Sequence, residues 1–343
     1  MHIGLSLTPF GHHPAAWRRS GTDRGALEFS HLAAQVKKAE DGGLDFVLLA
    51  DRLGQRPEND LSPLAVPFEL TTLVAALATA AGKIGFISTA ATHQHEPYNL
   101  ARRFASLDSI SKGRTGWNVV GSEKLERDLE YLDVVSGLWD SWADDAFVYD
   151  KAQGRFFEPD KMHVLNHKGT HFTVRGPLNV NRSPQGRPVI SHVLTANTFE
   201  IAARVADVIF LPSPSSEEVK TLSARLNSSL SAFGRRRKDV RVLANIIPMV
   251  GNSSSDELNA IPDALEIVGT PAGIAERMKA LAETAGLDGF VILPPVAPEG
   301  VTGFVDLVIP ELRQRGLFRN AYEELTLRGH LGLAHPDRLE RAS

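Results

Sequence analysis

The chain predicts an α/β fold closed into a (β/α)8 TIM barrel, on three observations. Short apolar runs alternate with segments of helical period along nearly the whole sequence, and strand–helix alternation implies parallel strands with right-handed crossovers. The alternation occurs eight times, and eight such units close naturally into a barrel. No G-x-G-x-x-G follows the first strand and no Walker sequence is present, so the competing doubly wound open sheet lacks its usual nucleotide signature.

Each unit has its own warrant. Ile3–Leu7 reads as the first strand, and Leu27–Gly42 as a helix stopped by Gly42-Gly43. Asp45–Asp51 is a near-continuous apolar strand, as both-face burial requires. Phe68–Ala81 is a helix and Ile84–Ala90 a strand; Pro97 suits the first turn of a helix running to Ser111. Arg114–Val120 is a strand and Lys124–Trp142 a helix. The rhythm then breaks over residues 143–187, an excursion with a hairpin-like stretch at Gly169–Val180. It resumes with strands at Pro188–Leu194, Asp207–Pro212, Val240–Val250 and Asp288–Leu293. The helices between and after them are Asn197–Ala206, Glu217–Gly234, Pro271–Gly286 and Gly303–Gly316. Residues 1–343 are thus expected to form one domain, with a polar tail at 317–343 wrapping the surface.

Composition narrows the function. Of 343 residues 43% are apolar and 23% charged, and 37 Lys and Arg face 41 Asp and Glu for a net charge of −4. That balance gives no footprint for nucleic acid or an anionic membrane. The one basic run, Arg235-Arg236-Arg237-Lys238, reads as a solvated helix end. The chain has no cysteine, which excludes a thiol nucleophile, a disulfide framework and an iron–sulfur cluster. The first residues enter a strand at once, and no apolar stretch approaches the roughly 20 residues that span a bilayer. A cytoplasmic enzyme is expected.

In such barrels the active site lies at the C-terminal ends of the strands. Those ends carry Thr8, Phe10, His12, His13 and Trp17; Asp51 and Arg52; Ser88, Thr89, Thr92, His93 and His95; Trp117, Asn118 and Ser122; His192, Thr195 and Asn197; and Pro294-Pro295. Imidazoles and hydroxyls abound, but only one carboxylate is well placed, so the paired acids of glycoside hydrolysis are not evident. His93-x-His95 has the spacing of a metal-binding pair, yet it follows the third strand and no carboxylate follows the last, so no metal is expected. Asp51 also suits a cap, Thr195 and Asn197 a helix N-cap, and Trp117 the core. Asn118, ending an apolar strand, demands polar partners, and a flavin ring edge offers both donors and acceptors.

The string Gly113–Ser122 (GRTGWNVVGS) resembles a signature of the bacterial-luciferase-like flavin-dependent monooxygenases, in the branch of the nitrilotriacetate, dibenzothiophene-sulfone and pristinamycin-type enzymes. Gly11–Arg18 (GHHPAAWR), Phe46–Arg52, Glu96–Asp108, Gly176–Pro188, Val268–Met278 and Asp288–Glu311 resemble the same family, so the likeness covers nearly the whole chain. It implies reduced FMN from a separate NAD(P)H:flavin reductase, O2 as co-substrate, oxygenation of a small organic substrate or natural-product intermediate through a C4a-peroxyflavin, and a homo-oligomer. It assigns flavin contacts to Asp51, Ser88, Thr89, Asn118, Thr195 and Asn197. His12, His93 and His95 become candidate acid–base groups, and Phe10, His13, Trp17 and His192 line the substrate side. A deazaflavin oxidoreductase and a paralogue with weak or lost flavin binding are the alternatives. The last is prompted by departures: the H-x-x-R-Y stretch that the family carries after the strand ending at Val120 is missing, with Leu125 standing where its Tyr would, and Val193–Thr198 lacks the glycines usual beside the flavin phosphate.

Overall fold

The computed structural model describes residues 1–19, 24–50, 67–122, 124–195, 198–213, 215–251, 261 and 263–337. Asp51, Arg52 and Asn197 lie outside the described residues. In chain order the elements begin β1 (His2–Ser6), α1 (Phe29–Asp41), β2 (Phe46–Leu49), α2 (Leu70–Ala80), β3 (Gly85–Ala91), α3 (Pro97–Ile110), β4 (Thr115–Val120) and α4 (Leu125–Trp139). Two small hairpins follow, β5 (Phe147–Asp150) with β6 (Arg155–Phe157), and β7 (His167–Lys168) with β8 (Thr173–Val174). Then come β9 (Val189–Val193), α5 (Phe199–Val205), β10 (Val208–Leu211), α6 (Ser216–Ala232), β11 (Arg241–Val250), β12 (Leu265–Gly269), α7 (Pro271–Ala285) and β13 (Gly289–Ile292). The last helices are α8 (Glu299–Gly303), a π turn at Phe304–Val308, α9 (Ile309–Gln314) and α10 (Leu327–His330).

Eight parallel strands close the barrel in the order β1-β2-β3-β4-β9-β10-β11-β13, with β13 returning to β1. They are the eight strands expected from the sequence. Local signals fix the helices between them: α7 has Thr270 accepting from the Gly273 amide, Pro271 in its first turn and Gly286 left-handed at its end.

Strand periodicity sorts the side chains onto two faces. Ile3, Leu5, Val47, Phe86, Trp117, Val119, Ile190 and Ile292 face the helices. Phe46, Leu48, Ile87, Val189, Phe210, Leu243 and Val291 fill the interior. Trp117 is fully buried on the outer face, 5.9, 6.2 and 6.4 Å from the rings of Phe104, Tyr131 and Trp139.

Three features differ from expectation. Strand β12 was not anticipated: β11 is ten residues long, so Ile246–Val250 runs past its barrel partner and pairs with Leu265–Gly269. The β5–β6 hairpin is largely exposed, so no buried alternation marks it. The tail does more than wrap the surface. Leu327 is fully buried in the interior cluster with Phe46, Val208 and Phe210, and plugs the N-terminal end of the barrel. Its apolar partner one turn on, Leu331, shares that face, and a polar average over the segment conceals both. Beside the plug, Arg328 binds both oxygens of Asp207 at 3.1 and 2.9 Å.

Candidate active site at the barrel mouth

The register brings Thr89 opposite Asn118 and Asn118 opposite Ser191. All three have interior parity, one layer above Ile87 and Val189. The Asn118 amide donates to Thr89 Oγ1 at 3.0 Å, and Ser191 Oγ donates to Asn118 Oδ1 at 3.3 Å. Asn118 and Ser191 are 3% and 0% exposed. Among the described residues two donors of this row have no acceptor, the Thr89 hydroxyl and the second Asn118 N–H. Ser6 and Asn245 have the same interior parity; Asn245 donates to the Asp263 carbonyl at 3.2 Å, and its own oxygen has no partner among the described residues.

One wall of the mouth comes from two loops zipped together. His12 and His13 donate their amides to the Pro294 and Pro295 carbonyls at 2.8 and 3.0 Å, and Ala297 donates back to Phe10. Gly11 permits this: its φ is +103°, and a Cβ there would lie 2.5 Å from the Pro295 oxygen. His12 Nε2 donates to the Ser6 carbonyl at 3.2 Å, leaving Nδ1 as an acceptor. Desolvation brings the His12 pKa down to about 4 against the opposing Ser6 bond, so the ring is neutral near pH 7. His13 Nδ1 accepts from the Ala15 amide at 3.0 Å, and its Nε2–H is buried with no partner among the described residues; burial lowers its pKa too.

The other sequence-based candidates are placed differently. Ser88 and His192 sit on the outer face of β3 and β9, where strand alternation points them at the helices. The His192 Nδ1 donates to the Val119 carbonyl at 3.0 Å, and burial lowers its pKa. They are therefore not brought to the interior row, and Ser191 takes the place expected for His192. His93 is exposed, and His95 is half-buried beside Arg103 and Glu69. Desolvation and the Arg103 charge lower the His95 pKa, and its carbonyl holds the Tyr131 hydroxyl at 3.0 Å. Neither joins the Asn118 row: His95 instead has Arg103 and Glu69 as its charged neighbours. Trp17 is 41% exposed under the Arg18 guanidinium. Thr195 is exposed, and its hydroxyl lies 3.0 Å from that of Thr198. No group of three or more His, Cys, Asp or Glu among the described residues could hold a metal. Ser6, Ser191 and Asn245 were missed as candidates. A polar residue at interior parity in an apolar strand is the signal that finds them.

The donor set suits a flavin. The row offers hydroxyl and amide hydrogens to an electron-rich ring edge, and among the described residues no carboxylate belongs to it. Among the described residues no helix is long and apolar enough to cross a membrane.

Comparison with known proteins agrees with the barrel fold. A family model described as luciferase-like monooxygenase matches residues 9–261. Nitrilotriacetate monooxygenase component A of Aminobacter aminovorans is 33% identical, with 98% of this chain and 97% of that protein covered. The alignment runs over 439 residues against a chain of 343, so the relative carries internal segments absent here. Among solved structures, EDTA monooxygenase from Chelativorans sp. BNC1 has a TM-score of 0.86 at 27% identity, covering 98% of both chains. A riboflavin lyase, solved with modified FMN and riboflavin, has a TM-score of 0.84 at 25% identity, covering 97% of this chain and 96% of its own.

Proposed function

Because the chain belongs to the luciferase-like monooxygenase family, whose members are flavin-dependent monooxygenases, we propose that it is the oxygenating component of a two-component system. It uses reduced FMN delivered by a separate NAD(P)H:flavin reductase, takes O2 as co-substrate, and oxygenates a small organic substrate. We read it as a cytoplasmic, single-barrel enzyme working as a homo-oligomer.

The observation that carries this reading is the Thr89–Asn118–Ser191 row at the barrel mouth. Bound there, reduced flavin supplies the electrons that activate O2. The protein's part is binding, orientation and exclusion of water. The Thr89 hydroxyl and the second Asn118 N–H would hold the flavin by donating to its negative charge, in a setting where such bonds are strong. The zipped loops at residues 8–13 and 294–298 shut water out of one side. Neutral His12 keeps Nδ1 as an acceptor that would take a hydrogen bond from substrate or flavin without adding charge. Phe10, His13 and Trp17 are assigned to the substrate side, and Thr195 to the flavin phosphate.

The test is anaerobic titration of the purified protein with reduced FMN, followed by mixing with O2. Saturable binding with flavin reoxidation slower than that of free FMN is expected. Absence of saturable binding overturns the reading.

A further inference from the structure

Only Gly121–Lys124 separate β4 from α4, and a carboxylate one turn into that helix spans the gap. Asp128 is fully buried. Its Oδ1 accepts from the Thr92 hydroxyl at 2.5 Å, and its Oδ2 from the Ser122 amide at 2.5 Å. The Ser122 hydroxyl lies 3.1 and 3.0 Å from the two oxygens. Gly121 makes the approach possible, since a Cβ there would sit 2.9 Å from Oδ2. Arg127 Nη1 is 3.6 Å from Oδ1, and Arg127 Nη2 donates to the Thr92 carbonyl at 3.3 Å. The Thr92 amide also donates to the Val120 carbonyl at 3.0 Å.

Thr92 lies three residues beyond Thr89, and Ser122 four beyond Asn118. One buried charge therefore fastens the ends of the two strands that carry the donor row. A buried carboxylate is costly unless its lone pairs are filled, and here both oxygens are. We propose that Asp128 is a positioning residue: it clamps the ends of β3 and β4 to α4 and thereby holds Thr89 and Asn118 in the geometry that binds flavin. This rests on the flavin reading above for its ligand, but not for the clamp itself.

The experiment compares Asp128→Asn with Asp108→Asn by two readouts, amide hydrogen exchange and reduced-FMN affinity. Asp108 is the control, a fully buried carboxylate at the opposite end of the barrel. Asp128→Asn is expected to speed exchange at Thr92 and Ser122 and to weaken flavin binding by about tenfold, a size typical of small misplacements of binding groups. Asp108→Asn is expected to lower stability and leave both readouts unchanged. If Asp128→Asn does not fold, the Thr92→Val/Ser122→Ala double variant removes the same bonds from the other side. Unchanged exchange at the mouth overturns the clamp, and faster exchange with unchanged flavin affinity overturns its role in positioning. If the unmodified chain binds no flavin, the proposed function fails, and the positioning role fails with it even where exchange shows the clamp.

Discussion

At the N-terminal end of the barrel, Asp108 accepts from the Thr115 amide, the Gln185 amide and the Ser183 hydroxyl, and Gln185 passes the network on to the Arg328 amide. Leu327 fills the space between. At the C-terminal end, the Thr89–Asn118–Ser191 row satisfies itself only partly and keeps donors in reserve. The same eight strands thus end in a base where a buried carboxylate is met on both oxygens and in a mouth whose row keeps donors unpaired among the described residues. Unused polar capacity in a buried place has a cost, and at the mouth the proposed flavin would complete it. On the proposed function, the base would carry stability and the mouth would carry flavin binding.

Leu327→Ala makes the sharpest break between the two. Removing the plug should cost about 2–5 kcal/mol by the usual range for buried leucines, measured by urea unfolding, with flavin affinity per folded molecule unchanged. Asn118→Ala should do the reverse, weakening reduced-FMN binding roughly tenfold or more for the loss of a charge-assisted bond, while the unfolding midpoint moves less than in Leu327→Ala. Equal effects of the two variants on both readouts would erase the distinction.

Protonation sharpens it further. Burial raises the Asp108 pKa from 3.8 to about 6, against the bonds from Ser183, Thr115 and Gln185. Between those values the folded chain holds a proton that the unfolded chain has released. The Asp108 contribution to stability therefore falls as pH rises through about 4 to 6 and is flat above. Asp108→Asn should flatten the stability curve across that window. His12 runs the other way: its folded pKa is depressed, so its contribution is full above 6.5 and is lost as pH falls toward about 4. NMR titration should show the ring neutral at pH 6, and an inflection near 6.5 assigned to His12 would contradict its burial. Thr195→Ala is the smallest change. Its hydroxyl is exposed, so stability should move by less than about 0.5 kcal/mol, and only the preference for FMN over riboflavin should drop.

The scaffold was legible because barrel strands are buried on both faces and advertise themselves as apolar runs such as Phe46–Leu49. Asn118 and Thr89 stood out as polar residues in that setting, and the structure places their side chains together. Position alone misassigned Ser88 and His192: both stand at strand ends, but face is decided by parity, and parity is visible only once register with Asn118 is known. Asp128 was hidden in an amphipathic helix among other acids, where sequence cannot tell a solvated carboxylate from a buried one. Leu327 was hidden by its polar neighbours.

The most direct test of this division is one anaerobic titration with reduced FMN, run in parallel on the unmodified chain, Asn118→Ala and Leu327→Ala. Saturable binding to the unmodified chain and to Leu327→Ala, with marked weakening in Asn118→Ala alone, is the expected result. Equal affinity across all three, or no binding by any, would contradict a flavin site at the mouth.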